Sequence, residues 1–468
     1  MYKYDSGQLS LSEFGQPVGM RLREDNRWVQ KAKTVPWGAI EHRYAALFKN
    51  RKGNVAKPLR LALGACLIQA EYGYSDVEVA TMIQEHPYLQ YFCGYKEYDD
   101  SKLPFDPSLM VYFRKRLTPE ILGEINEMII AGRDSSPTAS EDDDDDQNKG
   151  TMIVDATCAP SQIKYPTDSA LLNEARENTE AMIDEMHTVG EKKPRTYRKR
   201  ARKDYLALAR SRKPGAKKIR KAIGKQLNYL RRNLGTIEVM LESGGVLSER
   251  GQARLETVQK LYEQQKYMYD ERTHSVPDRI VSLSQPWLRP IVRGKAGAAV
   301  EFGAKLDISV VNGWTRMEVF SFDAYNESGG LKEMIQRYRR RTGHYPERIL
   351  ADKVYRNRDN LAYCKGHGIR LSGPAPGRPK KGAPADKKQN YIDECERVEG
   401  ERRFSLAKRK CGLGLITARL EATACHCIAI SILALNLRRI QCALINFFFM
   451  FLDFCRLGCL NGNLRFVQ

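Results

Sequence analysis

None of the eleven cysteines stands in a C-x-x-C pair, and their spacing makes no even framework. The nearest approach is Cys425-His426-Cys427, inside an apolar helical run. The cysteines therefore read as reduced thiols, and a domain stapled by disulfides is not expected. No cleavable signal opens the sequence, so the expected compartment is the cytoplasm. A membrane-spanning run is missing as well. The apolar patch Leu444 to Leu452 covers nine residues and contains Asn446, whereas a spanning helix needs about 20 apolar residues. That patch reads as core or oligomer interface, and no membrane partner is expected. Glycine and proline show no unusual bias, so nothing in the composition stands against a globular core.

What the chain has in excess is positive charge. A formal net charge of +20, with 42% hydrophobic residues and an isoelectric point near 9.4, describes a globular protein built to meet a polyanion. The length suits roughly three domains at about 100 to 200 residues each.

Residues 1 to 133 read as a helical unit. Pro58 opens an apolar helix running through Ala70, and Ser75-Asp-Val-Glu78 is a capping box for the next. A third helix is expected from Asp106-Pro107, with Asp as cap and Pro in the first turn, through Phe113, Arg114 and Arg116. Three short helices ending in a basic one suit either helix-turn-helix contact with DNA or a helical interaction domain. Residues 134 to 150, with the acidic run Glu141 to Asp146, are too charged and too poor in apolar residues to pack, and read as a linker.

The remainder, residues 151 to 439, reads as an α/β domain, followed by an apolar tail at 440 to 468. Thr151 to Val154 is a short buried-strand pattern that delivers Asp155 at its C-terminal end. Val300 to Val310 alternates apolar and polar residues, Asn312-Gly313 makes a tight hairpin turn, and Trp314 to Phe322 continues as the partner strand. A helix around Leu331 to Arg341, a strand Arg348 to Ala351 ending in Asp352, and a short strand near Gly368 to Ser372 follow.

Between the first strand and the hairpin lies a helical insertion at about 170 to 290. Residues 192 to 232 hold eighteen Lys or Arg and one acid, Asp204, so this segment carries +17 of the net charge. Leu227, Leu230, Leu234, Ile237 and Leu241 recur at steps of three and four, and after Gly244-Gly245 a second run with Leu255, Val258 and Tyr262 is placed to pack back on them. So dense a charge repels itself unless phosphates neutralise it, which makes Arg195, Arg198, Lys199, Arg200, Arg202, Lys203, Lys217, Lys218, Arg220 and Lys221 candidate DNA contacts. A second basic stretch, Gly373 to Lys381, is rich in Pro and Gly and reads as a flexible arm, with Arg378, Lys380 and Lys381 as further candidates.

Three acidic residues then stand out: Asp155 and Asp352 at strand ends, and Glu401 in a basic helical stretch. Carboxylates at the ends of neighbouring strands, closed by a third from a helix, suit two Mg²⁺ ions about 4 Å apart, the arrangement for in-line phosphoryl transfer. At about 100° per residue, Arg397, Glu401 and Lys408 share an arc while Glu399 points nearly the opposite way. Glu401 is therefore the favoured third ligand, with Glu399 as the competing one.

These residues carry a resemblance. Val154-Asp-Ala-Thr157 with Tyr165-Pro-Thr-Asp168, Ala351-Asp-Lys-Val-Tyr355, and Arg397 spaced to Glu401 and Lys408 resemble the signature of DDE transposases of bacterial insertion sequences. Cys411 to Leu420 and Leu435-Asn-Leu-Arg-Arg439 resemble the end of that family's catalytic domain, and residues 58 to 116 its helical N-terminal domain. The family often places Tyr three residues before the Arg, where this chain has Glu394, with Tyr391 three earlier.

The resemblance implies an RNase H-like mixed sheet flanked by helices, with a helical N-terminal DNA-binding domain and the basic helical insertion. It implies Mg²⁺, two ions with Mn²⁺ as a substitute, held by catalytic Asp155, Asp352 and Glu401 and supported by Arg397, Lys408 and Tyr355. It also implies double-stranded DNA with terminal inverted repeats and a target DNA as partners, a homodimer or larger assembly on DNA, and a bacterial, nucleoid-associated protein. The competing readings are a metal-dependent nuclease that does not join ends, and a non-catalytic DNA-binding protein that keeps the fold.

Overall fold

The computed structural model describes residues 1–4, 10–49, 53–133, 147–187, 192–295, 298–373 and 387–462. Most of the acidic linker, the basic arm with Arg378, Lys380 and Lys381, and the side chains of the apolar patch Leu444 to Leu452 lie outside the described residues. The chain forms two compact units. The first comprises Met1–Ala159, Leu306–Phe320 and Asn326–Gln468; the second Pro160–Lys305 and Ser321–Tyr325.

The first unit opens with seven helices: α1 (Arg27–Thr34), α2 (Trp37–Ala45), α3 (Leu59–Tyr72), α4 (Asp76–Glu85), α5 (Pro87–Phe92), α6 (Leu109–Arg116) and α7 (Pro119–Ala131). The apolar α3 is buried along nearly its whole length, and Gly73 ends it in the left-handed conformation at φ +71°. Ser75 and Glu78 form the reciprocal capping box of α4. Helix α6 starts three residues beyond Asp106, which the sequence marks as its cap. The Asp106 carboxylate instead accepts from the Ser108 N–H at 2.9 Å, closing a turn that occupies the place of the expected first helical turn. Arg114 on α6 is buried and bonded to Asp76 at 2.6 Å and Gln69 at 2.9 Å. This cation of the basic helix thus fastens α6 to α3 and α4.

The second unit holds α8 (Asp168–Met186), α9 (Arg198–Ala209), α10 (Ala216–Glu242) and α11 (Glu249–Asp270). The leucine spacing of α10 does bury one face against α11, with Leu227 and Leu230 meeting Val258 and Leu261. A third helix shares that core: Leu171, Leu172 and Ala175 of α8 pack there, and Met182, Ile183 and Met186 continue with Ile237 and Leu255. The run Tyr165-Pro-Thr-Asp168 builds the entrance to this bundle. The Thr167 side chain caps α8, and Asp168 accepts from Arg279 at 2.7 Å and Gln265 at 3.0 Å.

The sheet has six strands: β1 (Thr151–Pro160), β2 (Arg289–Lys295), β3 (Ala298–Val311), β4 (Trp314–Ser321), β5 (Arg348–Leu350) and β6 (Arg370–Leu371). Their order is β2-β3-β1-β5-β6, with β4 also paired to β3, so β4-β3-β1-β5-β6 is the mixed sheet of an RNase H-like fold. β1 and β5 are parallel, with Ile153 opposite Leu350. The β3–β4 hairpin turns at Asn312 (φ +49°) and Gly313 (φ +75°), both left-handed as a two-residue turn of the primed type requires. Gly313 is needed a second time, because a Cβ there would lie 2.7 Å from the Arg439 guanidinium.

One sheet face is covered by α12 (Leu331–Thr342) and α13 (Arg358–Gly366), with Met152, Val154, Leu331, Met334, Ile335, Ile349 and Tyr355 in one core. Helices α14 (Lys387–Lys410) and α15 (Glu421–Gly462) complete the chain. The segment Glu421–Gln441 of α15 is long and apolar enough to cross a membrane by length and composition, yet 78% of it is buried inside the protein. It packs against α7, α3 and α6, as a central core helix does.

Candidate active site

The parallel register brings the two aspartates side by side. Asp155 stands two residues beyond Ile153 and Asp352 two beyond its partner Leu350, so both leave neighbouring strands at the same level and on the same face. The strands are one inter-strand spacing apart, about 4.8 Å. Asp155 is half-buried and accepts from the Ala156 N–H at 2.9 Å; Asp352 is exposed and accepts from the Lys353 N–H at 2.6 Å.

Helix α14 makes a close approach to β1. Gly400 lies against β1, where a Cβ would meet Asp155 Cβ and Ile153 Cγ2 at 3.4 Å and Asp155 Oδ2 at 3.7 Å. The neighbouring Glu401 forms an ion pair with Arg397, one turn earlier, at 3.2 Å. Burial pushes the Asp155 carboxyl up to about 6; the Ala156 N–H and Arg397 pull it down, while Glu401 and Asp352 push it further up. Arg397, Glu401 and Asp352 thus all act on Asp155. Glu399 instead pairs with Arg403 at 2.5 Å and borders a cleft with Thr151 and Val310.

A set of ion pairs that sequence reasoning missed fixes α14 on the sheet. Arg348 of β5 donates to Thr151 at 2.7 Å and to Glu396 at 2.6 Å, and reaches Asp393 at 3.4 Å. Arg370 of β6 grips the buried Asp393 through both carboxylate oxygens, at 2.6 and 2.7 Å. The available signal was the spacing: Asp393 and Glu396, three residues apart, share a helix face eight and five residues before Glu401.

The remaining candidates are placed as follows. Tyr355 is 1% exposed and belongs to the core beneath the sheet. Lys408 is partly buried in the last turn of α14, while Tyr391 and Glu394 are exposed near its start. His426 is buried in α15 and its Nδ1 lies 2.7 Å from the Leu117 carbonyl, a core contact between helices. Among the described residues, no three His, Cys, Asp or Glu side chains are drawn closely enough together to hold a metal ion. The Glu401 carboxylate, held by Arg397, is turned to a cation of the chain itself.

In the insertion, Arg195, Lys199, Arg200, Arg202, Lys203, Lys217, Lys218 and Lys221 are exposed. Two others serve the bundle. Arg198 is bidentate to Asp184 at 2.9 and 2.8 Å, and Arg220 stacks over Tyr269 at 4.1 Å.

Residues 349–438 match the family model of a transposase DDE domain, and residues 17–116 match that of a transposase domain, DUF772. The first match contains Asp352, Arg397, Glu401 and Lys408; Asp155 precedes it. A protein of Rhizobium meliloti described as uncharacterized protein ORF8 in the nfe locus is 31% identical over 143 residues, which is 31% of this chain and 66% of that protein. The chain thus spans just under two thirds of that relative's length. No solved structure matches this chain. Both family matches are to transposase domains, one in the N-terminal helices and one from β5 through α14 into α15.

Proposed function

We propose that this protein is a DNA transposase that binds the terminal inverted repeats of its element, cleaves there, and transfers the liberated 3′-hydroxyl into target DNA. What supports the reading is that Asp352 and Glu401, acids from distant parts of the sequence, both act on the Asp155 carboxyl together with Arg397. Two carboxylates and one guanidinium acting on Asp155 leave an excess of negative charge there, which a phosphate would find repulsive unless cations joined it.

DDE transposases generally use divalent metal ions. The residues here fit such an ion in donor chemistry, since all three offer hard carboxylate oxygens, and Asp155 is raised by burial first and by Glu401 and Asp352 after it. Asp155, Asp352 and Glu401 would hold the ion, for which Mg²⁺ is the fitting choice, and it would supply Lewis acidity toward a phosphate. The chain's own contribution is to hold the donors. The parallel register fixes Asp155 beside Asp352, Gly400 lets α14 come against them, and Arg397 keeps Asp155 more acidic than burial alone allows.

The test uses a duplex carrying the DNA that borders this reading frame, with Mg²⁺. Wild-type protein cuts it and joins a precut end to a second duplex, whereas Asp155→Ala and Asp352→Ala bind but do neither. Cleavage that survives both substitutions removes the catalytic assignment; cutting without joining makes the protein a nuclease; binding alone makes it a non-catalytic DNA-binding protein.

A further inference from the structure

The cations of the insertion fall into two sets. One set holds the bundle together at the base of the α9–α10 hairpin. Arg198 binds Asp184, Lys225 binds Asp204 at 2.7 Å, Arg232 covers Tyr197 at 5.1 Å, and the Gln226 side chain donates to the Ala201 carbonyl at 3.0 Å. The other set lies at the opposite end of the hairpin, around the turn between Ala209 and Ala216. There Arg210, Arg212, Lys213, Lys217 and Lys218 are all exposed. The first fully buried residue of α10 is Gln226, ten residues after the helix begins. No acidic residue occurs between Asp204 and Glu238 to neutralise this tip from within the hairpin.

We infer that this tip is a docking surface for the sugar-phosphate backbone of duplex DNA of any sequence, and so for target or flanking DNA; the inference rests on the transposase reading above. Five like charges within a turn and its flanks repel at distances shorter than the Debye length of about 8 to 10 Å, and a phosphate row relieves that repulsion by releasing counterions. The chemistry excludes the usual reading of adenine, which takes Asn or Gln on a base edge. Residues 205 to 225 contain neither, and the Ser211 hydroxyl is taken by Lys218 at 3.1 Å.

The test compares full-length wild type with a variant carrying Arg210→Gln, Arg212→Gln, Lys213→Gln, Lys217→Gln and Lys218→Gln. Binding to a random-sequence duplex and to the element-end duplex is followed across a salt series, with helicity and melting midpoint as the folding control. Because each phosphate contact contributes a slope of about −0.9 in log K against log salt, the variant's slope on random duplex becomes shallower by about 3 to 4, while its preference for the end duplex persists. Arg198→Gln with Lys225→Gln, from the base set, leaves the slope as it was. Should the fivefold variant misfold, Lys213→Gln and Lys217→Gln singly each change the slope by about 0.9. An unchanged slope in a folded tip variant, or a loss confined to the end duplex, overturns the inference and leaves the transposase reading standing. Wild-type protein that binds neither duplex overturns both.

Discussion

Gly400 of α14 lies directly against Asp155 of β1, with room for no more than a methyl group, 3.4 Å from the Asp155 Cβ. That approach delivers Glu401 to the site and also removes water from the Asp155 carboxyl, which is raised to about 6. A helix backbone set against a carboxylate is costly to the folded state at neutral pH. The arrangement makes sense where the carboxylate has a cation to receive.

The first prediction follows from that cost. Asp155→Asn abolishes cleavage but stabilises the metal-free protein at pH 7.5, by about 1 to 2 kcal/mol, since a pKa unit is worth about 1.4 kcal/mol and part of the carboxyl is solvated. The sign holds because a raised folded-state pKa gives stability that is complete below the unfolded value and is lost as pH rises through about 6. Chemical denaturation of both proteins in chelator measures it. A variant less stable than wild type contradicts the proposed strain.

Asp393 carries the second. It is 3% exposed and is the shared acceptor of Arg370 and Arg348, which belong to adjacent strands. Asp393→Ala leaves Arg370 without its acid while Arg348 keeps Glu396, a loss of several kcal/mol for a fully buried pair, here about 2 kcal/mol because Arg370 is 42% exposed. Since this clamp sets where α14 lies along the sheet, Glu401 loses its position. Cleavage is expected to fall at least tenfold, with the Mg²⁺ requirement shifted to higher concentration and end binding little changed. Equal losses of binding and cleavage would mean that Asp393 serves only the fold.

How much of this was legible in the sequence depends on the range over which each signal acts. The β3–β4 hairpin was visible because Asn312-Gly313 encodes a local backbone geometry, and the phase of Glu401 against Arg397 was visible because helical period is local too. The register that brings Asp155 beside Asp352 depends on pairing between segments nearly two hundred residues apart, and only the family resemblance pointed to it. The clamp at Asp393 is of the same kind: the spacing of Asp393 and Glu396 marks a shared helix face, but the arginines that meet it lie on two strands and no local signal pairs them with it. Arg114 and Arg198 misled in the opposite sense, because a basic residue looks the same in sequence whether it faces solvent or a buried acid.

The third prediction concerns pH. Burial lowers the His426 imidazole to about 4 while it stays bonded to the Leu117 carbonyl. A histidine depressed in the folded state contributes stability that is complete above about 6.5 and is lost as pH falls toward 4, because the unfolded chain takes up the proton first. Stability is therefore expected to drop by roughly 2 to 3 kcal/mol across that window. His426→Gln should be less stable at pH 7.5 but flatter between pH 6.5 and 4.5. A variant whose profile parallels wild type assigns the acid sensitivity elsewhere.

The last prediction tests what joins the N-terminal helices to the sheet. Asn436 of α15 is fully buried and donates to Asn126 of α7 at 2.7 Å and to the Thr315 carbonyl of β4 at 2.8 Å, while its own carbonyl accepts from the Thr315 N–H at 3.0 Å. One side chain thus satisfies a helix from each side and the strand that follows the hairpin. Three residues on, Arg439 stacks over Trp314 at 4.4 Å and donates to the Asn312 carbonyl at 2.6 Å. Asn436→Ala strands a buried N–H and a buried amide, each costing about 1 to 3 kcal/mol, so a loss of about 3 kcal/mol is expected. Asn436→Asp keeps the shape but replaces a donor with an acceptor that faces the Thr315 carbonyl, and should be no better. Hydrogen exchange then discriminates: β4 and α7 should lose protection together in Asn436→Ala. Loss in β4 alone would mean that α7 is held by its apolar contacts and owes nothing to the asparagine.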